Sequence, residues 1–160
     1  MSQKNDIPSF LRTWQYLRSM TTSFIEHVPL SHWDFHPSSS HGPLCKQFRH
    51  MVWVSDLYRC ALRDGKIDMV TKKQEYGGST ERSEILAAIK DRDVRLEALL
   101  SEEKFLDVEY RIDFFGTQMT VNEFTQTMVQ HESLHHGMWS VYASLAGFPP
   151  PDGWKNDWGL

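Results

Sequence analysis

The chain has 160 residues, of which 40% are hydrophobic, and carries a net charge of −4 from 17 basic and 21 acidic residues. This length suits one globular domain, residues 1–160, that buries roughly 70% of the surface of its unfolded chain. The acidic excess and the lack of a basic stripe argue against binding to phosphate backbones, so no nucleic-acid partner is expected.

No secretory or membrane-spanning segment is recognisable. Residues 1–6 contain no apolar run, and the least charged stretch, residues 124–151, is interrupted by polar residues, glycine and proline. Cys45 and Cys60 fall on one predicted helix, about 22 Å apart, which is too far for a disulfide. We therefore expect two free thiols, a cytoplasmic location and no membrane partner.

The first two predicted helices are separated by a long loop. Apolar residues at helical spacing predict a first helix over residues 7–28, and a proline at its second position suits a first turn. Residues 29–43 are rich in proline, serine and glycine, which predicts a loop over the surface. A second helix is predicted over residues 44–63 and ends before Gly65, with His50 on its inward apolar face.

The periodicity changes in the second half of the chain. A third helix is predicted over residues 80–101 from its stripe of isoleucine and leucine. Over residues 108–114 apolar and charged residues then alternate, which predicts a short strand or hairpin arm that ends at Gly116.

The fourth helix has the clearest start signal. Thr120 and Glu123 form a capping box, and Gly147 with the following prolines ends the helix. One face of this helix carries apolar side chains and two histidines: Phe124, Met128, His131, His135, Met138, Trp139, Tyr142 and Leu145. Trp154 and Trp158, in the tail, are expected to pack back onto the domain.

Four helices of about 20 residues with mostly short connections predict an all-α four-helix bundle. Two features depart from a plain bundle: the long first loop, and the short strand or hairpin before the last helix.

Three histidines form a candidate metal site. His131 and His135 are four residues apart, so their side chains leave the same side of the fourth helix and can bind one ion. His50, on the inward face of a second helix, is the candidate third ligand. Three imidazoles leave coordination positions open for water or substrate, as in reactive sites. All-nitrogen ligands favour a divalent transition metal such as Zn or Ni over Ca or Mg.

Other residues within a turn of these histidines are candidates for supporting roles. The possible pocket walls are Trp53, Met128, Met138 and Trp139, although core packing explains any single one of them more simply. His136 is rotated by about 100° from His135, so we expect it to face outward or to support the ligands. Asp56 and Glu132 could carry protons, although solvent-facing helix charges explain both more simply.

Residues 131–135 also match the pattern H-E-x-x-H, in which Glu132 would be the general base of a zinc hydrolase. The context is weak. The extended pattern needs glycine and histidine where this chain has Met138 and Val141, and no glutamate follows Glu132.

Several motifs in sequence order resemble a known family. They are Leu-Ser-His-Trp-Asp-Phe-His-Pro at 30–37, Phe-Arg-His at 48–50, Thr-Val-Asn-Glu-Phe at 120–124, and His-Glu-Ser-Leu-His-His-Gly at 131–137. Together they resemble the DinB-like (damage-inducible, YfiT-like) metal-binding four-helix bundles over nearly the whole chain. The resemblance implies that the metal ligands are His50, His131 and His135. The family's usual continuation, Arg-Gly-Gln, is His-Gly-Met here, at residues 136–138.

The resemblance also implies a class of function. Similar chains include thiol-dependent S-transferases and isomerases, which use a low-molecular-weight thiol. Others are regarded as metal-dependent hydrolases. Members of the family are commonly homodimers. We therefore expect a metal-dependent enzyme with a small-molecule substrate, possessing a three-histidine open site. Two alternatives are a metal-binding stress-response module without turnover and a histidine cluster that only holds the bundle together.

Overall fold

The computed structural model describes residues 5–69 and 77–159, so the ends of the predicted domain lie outside the described residues. In chain order the elements are α1 (Ile7–His27), α2 (Leu44–Asp64), α3 (Arg82–Leu100), β1 (Arg111–Phe114), β2 (Thr117–Thr120), α4 (Val121–Ala146) and α5 (Asp152–Trp158). Helix α1 packs against α3 and α4, and α2 packs against the same two helices. The predicted all-α bundle with a hairpin before the last long helix is confirmed.

The ends of the long helices follow from local chemistry. The side chain of Asp6 accepts a hydrogen bond from the Ser9 amide at 3.1 Å and caps α1. At the start of α4, the Glu123 amide donates to Thr120 Oγ1 at 3.2 Å, and the Thr120 amide donates to Glu123 Oε2 at 2.8 Å. This reciprocal pair is the predicted capping box. Gly147 ends α4 at φ +82°, a left-handed conformation that glycine adopts without strain.

The hairpin fixes the start of α4 relative to the end of α2. Strands β1 and β2 are antiparallel and are joined by Phe115 and Gly116, both with positive φ. The Asp113 amide donates to the Gly65 carbonyl at 2.8 Å, and the Ile67 amide donates to the Asp113 carbonyl at 2.9 Å. Because β2 runs directly into α4, these bonds connect the two helices that carry the candidate ligands.

The core consists of two clusters of buried side chains, one at each end of the bundle. Phe24 lies in the middle of the first cluster, with ring centroids 5.6 Å from Trp139 and 5.0 Å from Trp154. The second cluster contains Trp14 and Phe124 together with buried aliphatic residues. The candidate histidines lie at the level where the two clusters meet.

One expectation about packing holds in part and one is wrong. Trp154 packs into the core as predicted, whereas Trp158, the last residue of α5, contacts the Tyr16 hydroxyl of α1 while its side chain stays 59% exposed. Leu145, predicted on the inward face of α4, is 62% exposed. It lies three residues after the buried Tyr142, about 60° short of a full turn of the helix, and this offset takes its side chain out of the core.

Two further expectations concern disulfide bonds and membrane-spanning helices. Cys45 and Cys60 are both free, as predicted, and Cys45 is buried. Among the helices of the described ranges, none has the length and apolar character needed to cross a bilayer.

Candidate metal centre

The structure brings His50, His131 and His135 together between α2 and α4. One nitrogen from each ring lies within 4.8 Å of the others. The ring centroids of His131 and His135 are 4.8 Å apart, and that of His50 is 5.5 Å and 5.2 Å from them. These side chains could hold one metal ion.

The nitrogen positions fit a shared ion. Nε2 of His131 and Nε2 of His135 are 3.2 Å apart. Two nitrogens bound to one zinc ion at about 2.0–2.1 Å in a tetrahedral arrangement are about 3.3 Å apart. Nδ1 of His135 is buried and has no hydrogen-bond partner among the described residues. A metal on Nε2 would make this Nδ1 the N–H donor of the ring, and it would still lack the acceptor that usually orients a metal-bound histidine.

Burial keeps the three imidazoles neutral. It lowers the pKa of His50, and it lowers the pKa of His131 to about 4, with further lowering by His50 and then Arg18. The pKa of His135 falls to about 3, first through burial and then through His131 and His50. Neutral rings keep a nitrogen lone pair available at pH 7, which is the protonation state that metal binding requires.

The predicted pocket residues lie around this cluster in two environments. Trp53 is half-buried, with its ring 5.8 Å from that of His50, and Met138 is also half-buried. Trp139 lies 5.8 Å from His135 and is fully buried, as is Met128, so both also serve as core residues. A pocket formed by these four side chains stays a prediction.

Tyr58 was not singled out from the sequence, although it adjoins the site. It follows His50 by two turns of α2, and its ring lies perpendicular to that of His131 at 5.9 Å. Burial, with a smaller effect from Glu132, raises the pKa of Tyr58 to about 12, so its hydroxyl is neutral at pH 7. The i, i+4, i+8 spacing of His50, Val54 and Tyr58 is the signal that could have found it.

Glu132 does not face solvent, contrary to the expectation from sequence. Its side chain is only 1% exposed, because it lies about 100° around α4 from His131 and points toward α1. Its carboxylate accepts hydrogen bonds from Arg18 Nη1, at 3.0 Å and 3.2 Å, and from Thr21 Oγ1. Both oxygens are therefore occupied, which argues against Glu132 as the base of an H-E-x-x-H hydrolase.

His136 is also buried, which rules out the outward-facing alternative. Its Nε2 lies 2.8 Å from Thr21 Oγ1. Because the Thr21 hydroxyl donates its proton to Glu132, His136 Nε2–H is the donor in this contact, which fixes the tautomer. Burial, and then Arg18, lower the pKa of His136 to about 4, so the ring is neutral.

Asp56 is the second acidic residue whose expected exposure is wrong. It is buried on the side of α2 that faces α3, where Arg92 donates to its Oδ2 from Nη2 at 2.9 Å and from Nε at 3.2 Å. This ion pair joins α2 to α3 and explains why a charged residue occupies a core position.

Two clefts lie away from the histidines. One of about 940 Å³ lies between the N-terminal ends of α1 and α4, and a groove of about 550 Å³ runs between α1 and α3. Neither is lined by any of the three histidines. The accessible part of the histidine cluster lies at the α2–α4 edge, where His50 and His131 are half-buried.

Comparison with known proteins agrees with this architecture. A model of the DinB family matches residues 1–154. The chain is similar to the crystal structure of a DinB-like protein from Bacillus cereus ATCC 10987, with 23% identity, a TM-score of 0.74, and coverage of 94% of this chain and 98% of that one. It is also similar to a DinB-like protein from Bacillus subtilis, with 18% identity, a TM-score of 0.66, and coverage of 87% and 92%.

No curated protein matches the sequence. At these identities the two solved structures show the fold alone, whereas the family match spans nearly the whole sequence. The chain therefore belongs to the DinB family.

Proposed function

We propose that this chain is a divalent-metal-dependent enzyme of the thiol S-transferase or hydrolase type, with Zn or Ni held by His50, His131 and His135. The observation that carries the proposal is the convergence of three neutral imidazoles, two of them only half-buried, at one edge of the bundle. Three ligands leave positions for an incoming molecule. A metal held there would supply Lewis acidity that lowers the pKa of a bound thiol or water.

The surrounding side chains favour the thiol reaction over a hydrolase that uses Glu132 as base. The Glu132 carboxylate is bonded to Arg18 and Thr21, so it is not free to take a proton from water. A thiol has an ordinary pKa near 8.5 and ionises on a cation without a dedicated protein base. The neutral hydroxyl of Tyr58 and the half-buried ring of Trp53 are available to orient a small substrate. Free Cys45 and Cys60 suit a reducing cytoplasm, in which low-molecular-weight thiols are present.

The metal site is tested by elemental analysis of tag-free protein. We expect about one ion per chain, as for a single three-histidine site, and its loss in His50→Ala, His131→Ala and His135→Ala. His41→Ala, which removes an exposed loop histidine, is the matched control and should keep the ion. If the parent protein takes up no Zn or Ni, the histidines form a purely structural cluster.

The thiol reaction is tested on cobalt-substituted protein with cysteine and glutathione as probes. Binding of a thiolate should add a sulfur-to-cobalt band in the near ultraviolet, and that band should be absent in His131→Ala. A loaded site without this band would contradict the S-transferase proposal and leave the hydrolase and the metal-binding module without turnover.

A second candidate is a metal-binding module without turnover. It is favoured by the position of the two clefts, neither of which is lined by the three histidines. This module would bind one ion per chain, as the enzyme does. Thiols and hydrolysable esters would not change the spectrum of its cobalt form, and it would not consume them.

We further propose that the protein is a homodimer. One side of α4 exposes Leu134, Val141 and Leu145, which are 63%, 55% and 62% exposed and lie seven and four residues apart. Exposed apolar residues grouped on one helix face are typical of interaction surfaces. Light scattering should give twice the chain mass for the parent and the chain mass for Val141→Glu; a monomeric parent would contradict the proposal.

A further inference from the structure

Arg18 contacts side chains of both helices that carry the three histidines. From α1, its Nη1 donates to Glu132 on α4 at 3.0 Å and 3.2 Å, and its Nη2 donates to Ser55 Oγ on α2. Its Nε donates to Asp93 Oδ1 on α3 at 3.0 Å. One guanidinium, 4% exposed, thus joins all four long helices.

The bonds of Arg18 end close to the ligands. Glu132 is the residue next to His131, and Ser55 follows His50 by five residues on α2. Ser55 in turn donates to the Met51 carbonyl at 2.7 Å, so its hydroxyl is held on both sides. The planar fork of arginine fixes its partners relative to one another, which the single ammonium of lysine cannot do.

The helix that carries two of the ligands is also held against rotation. His131 and His135 face α2, while Glu132 faces α1, about 100° away around α4. Thr21, also on α1, bonds to Glu132 and to His136 in the same turn. A rotation of α4 that displaced the two ligand rings would have to break these buried bonds.

We infer that Arg18 is a positioning residue for the three-histidine site, because it sets the spacing and rotation of α2 and α4 that bring His50 to His131 and His135. This inference rests on the metal site of the proposed function and not on its reaction. Metal ligands must converge within a few tenths of an ångström, and loss of the groups that hold them typically weakens metal binding 10–100-fold.

Two substitutions separate positioning from general stability. Arg18→Lys keeps the positive charge beside Glu132 and Asp93 but cannot reach Ser55 at the same time. Ser55→Ala removes only the connection to α2. Each has a matched control: Arg92→Lys changes a buried arginine that joins α2 to α3, and Ser133→Ala removes an exposed hydroxyl that bonds to the carbonyl four residues earlier, as Ser55 does.

The experiment measures cobalt and zinc affinity by chelator competition, the visible spectrum of the cobalt form, and the stability of each metal-free variant in urea. We expect Arg18→Lys to bind both ions about tenfold more weakly or worse, with altered cobalt bands, and Ser55→Ala to change in the same direction. Arg92→Lys and Ser133→Ala should bind within about twofold of the parent, even where Arg92→Lys unfolds as readily as Arg18→Lys.

Three results would overturn the inference. If the affinity and spectrum of Arg18→Lys match those of the parent, or if both arginine variants lose affinity equally, Arg18 contributes only to the fold. If the parent shows no cobalt bands, the metal site of the proposed function fails and the inference fails with it. The parent's spectrum distinguishes these failures.

Discussion

Glu132→Gln distinguishes a structural carboxylate from a catalytic base. The carboxylate accepts two contacts from Arg18 and one from Thr21 at a position without access to water. The amide of glutamine replaces one of the two acceptor oxygens with a donor that faces other donors. Removal of one partner of a buried ion pair typically costs about 3–5 kcal/mol. Arg18 keeps Asp93 and Ser55 as partners, so we expect the free energy of unfolding to fall by the low end of this range, about 3 kcal/mol.

The assays are urea unfolding and thermal unfolding of metal-free protein, both followed by circular dichroism. For a domain of this length, a loss of about 3 kcal/mol lowers the melting temperature by roughly 6–12 °C. Glu97→Gln makes the same chemical change at an exposed position of α3 and should stay within about 0.5 kcal/mol of the parent. A Glu132→Gln protein with the parent's stability and no catalytic turnover would refute this reasoning and restore Glu132 as a base.

The remaining predictions concern acid, the tail and a thiol. In metal-free protein the pKa values of His131 and His135, about 4 and 3, lie below the ordinary 6.5. The unfolded state therefore binds protons first as the pH falls, and the free energy of unfolding should decrease between about pH 6.5 and 4 in a urea series; a flat profile would contradict this. Trp154→Ala should cost about 3–5 kcal/mol, because the buried indole leaves a cavity against Phe24, whereas the exposed Trp158→Ala should cost under about 0.5 kcal/mol; equal losses in thermal melts would be the opposing result. Burial, and then a neighbouring carboxylate, raise the pKa of Cys45 to about 11, so iodoacetamide at pH 7.5 should modify it far more slowly in native than in denatured protein, as followed by mass spectrometry; equal rates would show that the thiol is accessible.

The features that the sequence could predict depend on residues close together in the chain. The capping box of Thr120 and Glu123 and the glycine stop at Gly147 are local signals, and both lie where predicted. The closeness of His131 and His135 follows from helical periodicity alone. His50 shares the inward phase of α2, and packing of apolar faces brings residues of that phase together.

The burial of Glu132 and Asp56 could not be predicted in this way. Arg18 and Arg92, which bond to them at 3.0 Å and 2.9 Å, are 114 and 36 residues away in the chain, on other helices. Asp56 has a further partner three residues away on α2, where Arg59 lies at 3.5 Å. Since a charged residue is usually exposed, only the tertiary structure shows that an arginine from another helix is present at each position. The periodicity of α4 places Glu132 beside the ligand face, but it does not reveal that α1 covers that side.

The same geometry explains why α4 matches H-E-x-x-H. The helix carries two pairs of polar side chains. The members of each pair are four residues apart, and the second pair begins one residue after the first. His131 and His135 point to α2 as candidate ligands, whereas Glu132 and His136 point to α1 and bond to Arg18 and Thr21. In a zinc hydrolase of this pattern the glutamate would act on water at the metal. Here its carboxylate is occupied on a face turned about 100° away, so the pattern arises from two adjacent faces of one helix that perform different tasks.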